Sequence, residues 1–201
     1  MPDTDREKNH KKRMQRKKEI IDSGIANADE DRGVLLVHTG NGKGKSSSGF
    51  GMVARALGHG MRVGIVQFIK GRDCTGEERF FKQFEQISYH VMGEGFTWET
   101  QDKQRDKDVA EIAWQQAARF LCDSSFDLIL LDELNIALKN KLLDIETVIQ
   151  DLQQRPHMQH VIVTGRGAIT PLTDIADTVT EMKLIKHAYK SGVRAQKGIE
   201  Y

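Results

Sequence analysis

At 201 residues, with a net charge of +1 and 29% charged side chains, the chain suits one compact domain and has no global field that would steer it to nucleic acid or to a membrane. No apolar run approaches the ~18 residues that a membrane span requires. The two cysteines, Cys74 and Cys122, lack metal-ligand spacing and predict reduced thiols in a cytoplasmic protein.

Residues 1–32 differ in composition from the rest of the chain. Eight of the residues from Arg6 to Lys18 are Lys or Arg, and apolar positions are few. Such a segment buries too little surface to fold alone. We therefore predict a basic N-terminal arm, either a solvated tail or a helix that becomes ordered on binding, followed by a single domain over residues 33–201.

From residue 33 onward, short apolar runs alternate with amphipathic segments. The runs predict strands at 33–38, 62–68, 87–92, 128–131, 160–164 and 178–184, and helical spacing predicts helices at 46–57, 109–121 and 144–153. Strands that alternate with helices imply right-handed crossovers and a mainly parallel sheet. The pattern predicts an α/β fold with helices on both faces of the sheet.

A glycine-rich loop between the first strand and the first helix is the strongest signal for function. It comprises Gly40, Asn41, Gly42, Lys43, Gly44, Lys45, Ser46 and Ser47. Glycines let the backbone turn its N–H groups toward an anion, and the helix that follows adds a partial positive charge. Lys45 can contact phosphate oxygens, and the Ser46 hydroxyl can join a magnesium shell.

This loop is a variant of the usual phosphate loop, which has glycine six positions before the lysine, where this chain has Thr39. The loop and the strand–helix alternation together predict a P-loop NTPase-like (RecA-like) fold. A purely structural glycine turn is the alternative, and Gly-Lys-Ser between a strand and a helix argues against it.

Charged residues follow three other predicted strands. Asp132 and Glu133 end the fourth strand, where a carboxylate can bind magnesium, although spacing does not say which of the two does so. Arg166 follows the fifth strand and Lys70 the second, and either could brace phosphates or lie in a surface turn. Ligands of such sheets gather at the carboxyl ends of strands.

Several segments together resemble the cobalamin (corrinoid) adenosyltransferase family. They are Gly40–Lys45, Val66–Gly71, Gly95–Thr100, Leu131–Leu134, Thr164–Gly167 and Gly198–Tyr201. The segment with Phe96 and Trp98 discriminates, because ordinary phosphate-loop kinases and ATPases lack it. Ser46 and Ser47 stand where the family often has threonines, and a serine hydroxyl can serve the same role.

The resemblance implies an enzyme that transfers the 5′-deoxyadenosyl group of ATP to cobalt(I) of a reduced corrinoid and releases triphosphate. It implies ATP as co-substrate, Mg²⁺ or Mn²⁺ as the metal, a homodimer and a reduced flavoprotein as electron donor. Lys45 would stabilise the leaving triphosphate, while Phe96 and Trp98 would exclude an axial cobalt ligand. Without the resemblance, both rings would be interpreted as packing residues.

Two other functions fit parts of the pattern. A phosphate-loop kinase or ATPase would use the same Lys45, Ser46 and Asp132 and produce ADP. A nucleic-acid-binding module would use the basic arm, but its charge would be expected to extend over the domain rather than stop at the arm. We therefore expect no nucleic-acid partner.

Overall fold

A computed structural model describes residues 3–68, 75–92 and 103–200 of the chain, with backbone only for residues 3–5. The chain forms two units, Met1–Arg32 and Gly33–Tyr201. The first unit contains one helix, α1 (Asp3–Ala26), whose sequence is rich in Lys and Arg. The basic segment, for which the sequence left a tail or a helix open, is thus helical.

The second unit alternates strands with helices. Its elements are β1 (Leu35–Thr39), α2 (Lys45–Gly58), β2 (Val63–Gln67), α3 (Gly76–Phe81), β3 (Ile87–Val91), α4 (Lys103–Cys122), β4 (Leu128–Asp132), α5 (Leu134–Lys139), α6 (Ile145–Gln154), β5 (His160–Thr164), α7 (Thr170–Asp174), β6 (Thr178–Glu181) and a 3₁₀ turn (Ala188–Ser191).

The six strands form one sheet in the order β3-β2-β4-β5-β1-β6, and every pair is parallel. All six carboxyl ends therefore lie along one edge. From β1 the chain crosses to β2, on the side of β1 where β5 and β4 also lie, and after β5 it returns to β6 on the opposite side of β1. Ligands of open α/β sheets bind at such a reversal, which places the loop after β1 where a site is expected.

Burial on both faces explains why the central strands are continuous apolar runs. Every residue of β2 and β4 is buried. Alternate residues enter two cores, as in β4, where Ile129 packs with α4 and α6 while Leu130 packs with α2. Helices therefore cover both faces of the sheet, and the predicted P-loop α/β fold class is confirmed.

Element boundaries differ modestly from the sequence prediction. β1 begins two residues later than expected, β6 ends at Glu181 rather than at residue 184, and α4 begins at Lys103 rather than at 109. Three short helices, α3, α5 and α7, were not predicted, because five or six residues are too few to establish a helical period. Among the described residues, no helix is both long and apolar enough to cross a bilayer.

Candidate functional site

The loop between β1 and α2 has the backbone geometry of an anion-binding turn. Gly40 has φ +98°, and a Cβ there would lie 2.4 Å from the carbonyl oxygen of Met182, so a side chain is excluded on two grounds. Gly44 caps α2 with φ +107° and offers no side chain to its first N–H groups. No side chain of the cap residue therefore occupies these N–H groups, which lie at the positive end of the helix, where a negative charge is favoured.

Lys45 begins α2 and is 7% exposed. Its Nζ donates to the carbonyl oxygen of Gly42 at 2.6 Å, so the ammonium lies folded over the loop. Burial lowers the pKa of Lys45, and the positive charges of Arg166 and Lys43 lower it further, while Glu133 opposes the shift. A phosphate arriving at the loop would relieve this electrostatic penalty.

The two carboxylates after β4 have different surroundings. Asp132 is buried and engaged at both oxygens: Oδ1 accepts from Thr164 Oγ1 at 2.7 Å and Oδ2 accepts from Gln67 Nε2 at 3.0 Å. Glu133 has a left-handed backbone (φ 62°), held by its N–H, which donates to Thr164 Oγ1 at 3.0 Å. Its buried Oε2 has no hydrogen-bond partner in the described part of the chain.

The isolation of Glu133 has an electrostatic consequence. Burial, and secondarily the adjacent Asp132, raise the pKa of Glu133 to about 7, while Lys45 and Arg166 act in the opposite direction. A buried acceptor without a donor suits a cation. The described residues contain no group of three or more His, Cys, Asp or Glu arranged to hold a metal by themselves. A Mg²⁺ ion would then be shared with substrate phosphates, as this ion prefers.

A cavity of about 700 Å³ opens over the phosphate loop and collects most of the predicted residues. Its lining includes Gly42, Lys43, Gly44, Lys45, Ser46, Ser47, Glu133 and Arg166. Gly40, Asn41 and Asp132 are not part of that lining. Phe96, Trp98 and Lys70 lie outside the described residues.

Two walls of this cavity come from segments to which the sequence assigned no role. Phe80 and Phe81 of α3 form one wall, and Phe80 is 52% exposed. The C-terminal segment forms the other with His187, Ile199 and Glu200, whose carboxylate forms an ion pair with Lys43 Nζ. In the sequence, the Gly198–Tyr201 ending was notable only as part of the family resemblance, and no local pattern links it to the loop.

Comparison with known proteins agrees with this geometry. Residues 31–201 match the family described as ATP:corrinoid adenosyltransferase BtuR/CobO/CobP, and residues 1–25 match the cob(I)alamin adenosyltransferase N terminal. A corrinoid adenosyltransferase of Pseudomonas aeruginosa is 63% identical over 98% of this chain and 98% of its own length. Corrinoid adenosyltransferases of Escherichia coli K12 and Salmonella typhimurium are 46% and 44% identical, each over 96% of this chain and 97% of its own length.

Proposed function

The chain belongs to the ATP:corrinoid adenosyltransferase family, and from that premise we propose how its site transfers the adenosyl group of ATP to a corrinoid. The observation that carries the proposal is the cavity over the phosphate loop, where Lys45, Arg166 and Glu133 meet. In the proposed reaction, cobalt(I) of the reduced corrinoid attacks the 5′ carbon of ATP. A cobalt–carbon bond forms, the carbon–oxygen bond breaks, and triphosphate leaves with the electron pair.

The protein's main task is to stabilise the departing triphosphate. The nucleophile belongs to the substrate, so the protein need supply neither a nucleophilic side chain nor a general base. Negative charge grows on the phosphate oxygen bound to the 5′ carbon, and the N–H groups at the start of α2 offset it together with the nearby cations. Lys45 would exchange its bond to Gly42 for one to phosphate, and Lys43 and Arg166 line the same cavity.

The metal-binding role is proposed for Ser46 and Glu133. Both line the cavity, and Glu133 Oε2 is a buried acceptor without a donor among the described residues, whereas both oxygens of Asp132 already accept hydrogen bonds. When bound, Mg²⁺, or Mn²⁺ in its place, would neutralise phosphate charge. Asp132 would instead act indirectly, by fixing the Thr164 hydroxyl that holds the Glu133 backbone.

Phe96 and Trp98 are proposed to exclude an axial ligand from cobalt, which would make reduction of cobalt(II) easier. This role separates from the transfer step in experiment. Phe96→Ala and Trp98→Ala should slow the reaction that starts from cobalt(II) and a reduced flavoprotein. They should change much less the reaction that starts from chemically reduced cobalt(I). Equal losses in both assays would point to a packing role instead.

We further propose that the protein forms a homodimer. A homodimer is supported by large apolar side chains exposed near the C-terminus, among them Ile185 (90% exposed) and Tyr189 (77%). Light scattering coupled to gel filtration measures the assembly directly. We also propose that a reduced flavoprotein supplies the electron and that the protein works in the cytoplasm.

The decisive experiment is anaerobic. The protein is mixed with ATP, Mg²⁺ and chemically reduced corrinoid, the cobalt absorbance is followed, and the phosphate product is identified. A light-sensitive alkyl-cobalt spectrum with one triphosphate per alkyl-cobalt supports the proposal. Accumulation of ADP without an alkyl-cobalt product would instead favour the kinase or ATPase alternative, which uses the same loop.

A further inference from the structure

A buried amide joins the two strand ends that carry the phosphate-binding residues. Asn135 lies in the first turn of α5 and is fully buried. Its Nδ2 donates to the carbonyl oxygens of His38 at 3.2 Å and of Gly165 at 3.0 Å. The β1–β5 register ends at His38 opposite Thr164, so the amide links the two strands where their pairing stops.

Each of the two acceptors precedes a residue that lines the cavity, His38 by four positions (Gly42) and Gly165 by one (Arg166). His38 is followed by Thr39 and the phosphate loop, and Gly165 is followed by Arg166. Gly165 has φ +127°, and a Cβ there would lie 2.9 Å from Asn135 Cβ and 3.1 Å from Glu133 Oε2. The peptide before Arg166 is therefore packed tightly against the side chains of Glu133, which caps α5, and of Asn135 in its first turn.

The chemistry of the position favours an amide over other side chains of similar size. Its NH₂ group supplies two donors without a charge, which matches two converging carbonyls. An aspartate would place acceptors and negative charge against those oxygens, and a leucine would leave both unsatisfied. Among the described residues, Asn135 Oδ1 has no hydrogen-bond partner. Burying this oxygen costs desolvation energy, and the two hydrogen bonds donated by the same amide offset that cost.

We propose that Asn135 is a positioning residue of the nucleotide site, which holds Arg166 at a fixed spacing from the phosphate loop so that both engage the triphosphate of ATP together. The inference rests on the proposed function for the identity of the ligand. It assigns Asn135 no contact with ATP. A displacement of about 1 Å in such a clamp can lower a rate about 100-fold.

The chain offers a matched control at the opposite edge of the sheet. Gln159 is also buried, and its Nε2 donates to the carbonyl oxygens of Phe120, Asp123 and Phe126 at 3.1–3.2 Å. Its Oε1 likewise has no partner within the described residues. Asn135→Asp and Gln159→Glu thus make the same chemical change in two buried amides, one at the proposed site and one far from it.

The test measures MgATP binding by calorimetry in the intact protein, at a temperature where circular dichroism shows each variant folded. We expect Asn135→Asp to weaken binding about 10- to 100-fold and Gln159→Glu to leave it within about 2-fold of wild type. KM for ATP should rise while KM for the corrinoid stays unchanged. Asn135→Leu, which removes the donors without adding charge, should weaken binding in the same direction and serves if the aspartate variant does not fold.

A double-mutant cycle with Arg166→Ala tests the route of the effect. If Asn135 acts by positioning Arg166, its substitution should cost much less binding in the Arg166→Ala background. Any one of three outcomes would overturn the inference: wild-type ATP affinity in a folded Asn135→Leu protein, additive effects in the cycle, or an equal loss of ATP affinity in Gln159→Glu. Because binding is measured without turnover, failure of the adenosyl-transfer proposal would appear separately, as ATP binding without an alkyl-cobalt product.

Discussion

The amino edge of the sheet, where the parallel strands begin, and the carboxyl edge, where they end, differ in how fully their buried polar groups are hydrogen-bonded. At the amino edge, polar groups satisfy one another: the guanidinium of Arg155 donates to the carbonyl oxygens of Leu152, Gln159 and Gly33 at 2.6–3.2 Å. At the carboxyl edge, three buried atoms have no hydrogen-bond partner among the described residues: His38 Nδ1, Glu133 Oε2 and Asn135 Oδ1. At the amino edge, one buried atom of the described residues, Gln159 Oε1, lacks a partner.

Positive φ angles are concentrated near the carboxyl edge, although Gly60, in the turn before β2, has one as well. Near the carboxyl edge, Gly40, Gly44, Glu133 and Gly165 all have positive φ. Positive φ is unfavourable for a residue with a side chain such as Glu133, and it persists only where the surroundings enforce it. The comparison indicates that the amino edge supplies stability, while the carboxyl edge keeps charge and hydrogen-bonding capacity available for a ligand.

The largest expected effect is on activity at the carboxyl edge. Lys45→Met should lower kcat/KM for ATP by about 100-fold or more, because the triphosphate loses a cation in a partly dry site. Its free energy of unfolding should stay the same or rise, because burial already penalises the ammonium and lowers its pKa. Steady-state kinetics and urea denaturation measure the two quantities. A variant that is unstable yet active would reverse the proposed division between the edges.

Arg155→Leu should give the opposite phenotype. It removes the donors of three backbone carbonyls, and we expect the free energy of unfolding to fall by about 2–4 kcal/mol. The activity of the folded fraction should stay close to wild type, because Arg155 does not line the cavity. Denaturation curves and kinetics below the transition temperature provide the check, and a selective loss of ATP affinity would contradict the comparison.

Glu133 should make stability depend on pH. Its folded pKa of about 7 exceeds the ordinary 4.5, so the folded state holds a proton that the unfolded state has lost between those values. The stability of the ligand-free protein should fall as pH rises from 4.5 to 7 and then level off. Glu133→Gln should flatten that decline and stabilise the protein at pH 8 by about 1–3 kcal/mol.

The matched control for this prediction is Glu111→Gln, which alters an exposed carboxylate on α4. It should keep the wild-type dependence of stability on pH. Denaturant midpoints between pH 4.5 and 8 compare the three proteins. If Glu133→Gln retains the wild-type slope, the carboxyl group of Glu133 is not the one that titrates in this window.

Sequence prediction succeeded where the signal was local. The apolar run 128–131 and the Gly-Lys-Ser motif are contiguous, and each predicted its element because neighbouring residues determine a buried strand or a loop before a helix. Prediction failed for contacts between distant residues, such as Asn135 with His38 or Lys43 with Glu200, which is 157 positions away. Strand order is also undetermined by local pattern, and only the order reveals that β1 and β5 are neighbours.

The smallest expected effect concerns the carboxylate that lies against the phosphate loop. Glu200 forms an ion pair with Lys43, and their side chains are 25% and 50% exposed. An incoming triphosphate competes with Glu200 for the same ammonium. Glu200→Gln should therefore tighten ATP binding by about 2- to 5-fold at low salt, the range of a partly exposed ion pair, and the gain should shrink at high salt.

The control variant is Glu181→Gln, which changes the net charge equally but removes a carboxylate that is 60% exposed and lies 4.0 Å from Lys183, outside the cavity lining. It should leave ATP binding within error of wild type in the same calorimetric titration. Weaker binding in Glu200→Gln would mean that Glu200 holds Lys43 in place for phosphate rather than competing with it. In that case the Lys43–Glu200 ion pair would support the carboxyl edge, as the hydrogen bonds of Arg155 support the amino edge, and the contrast between the two edges would narrow.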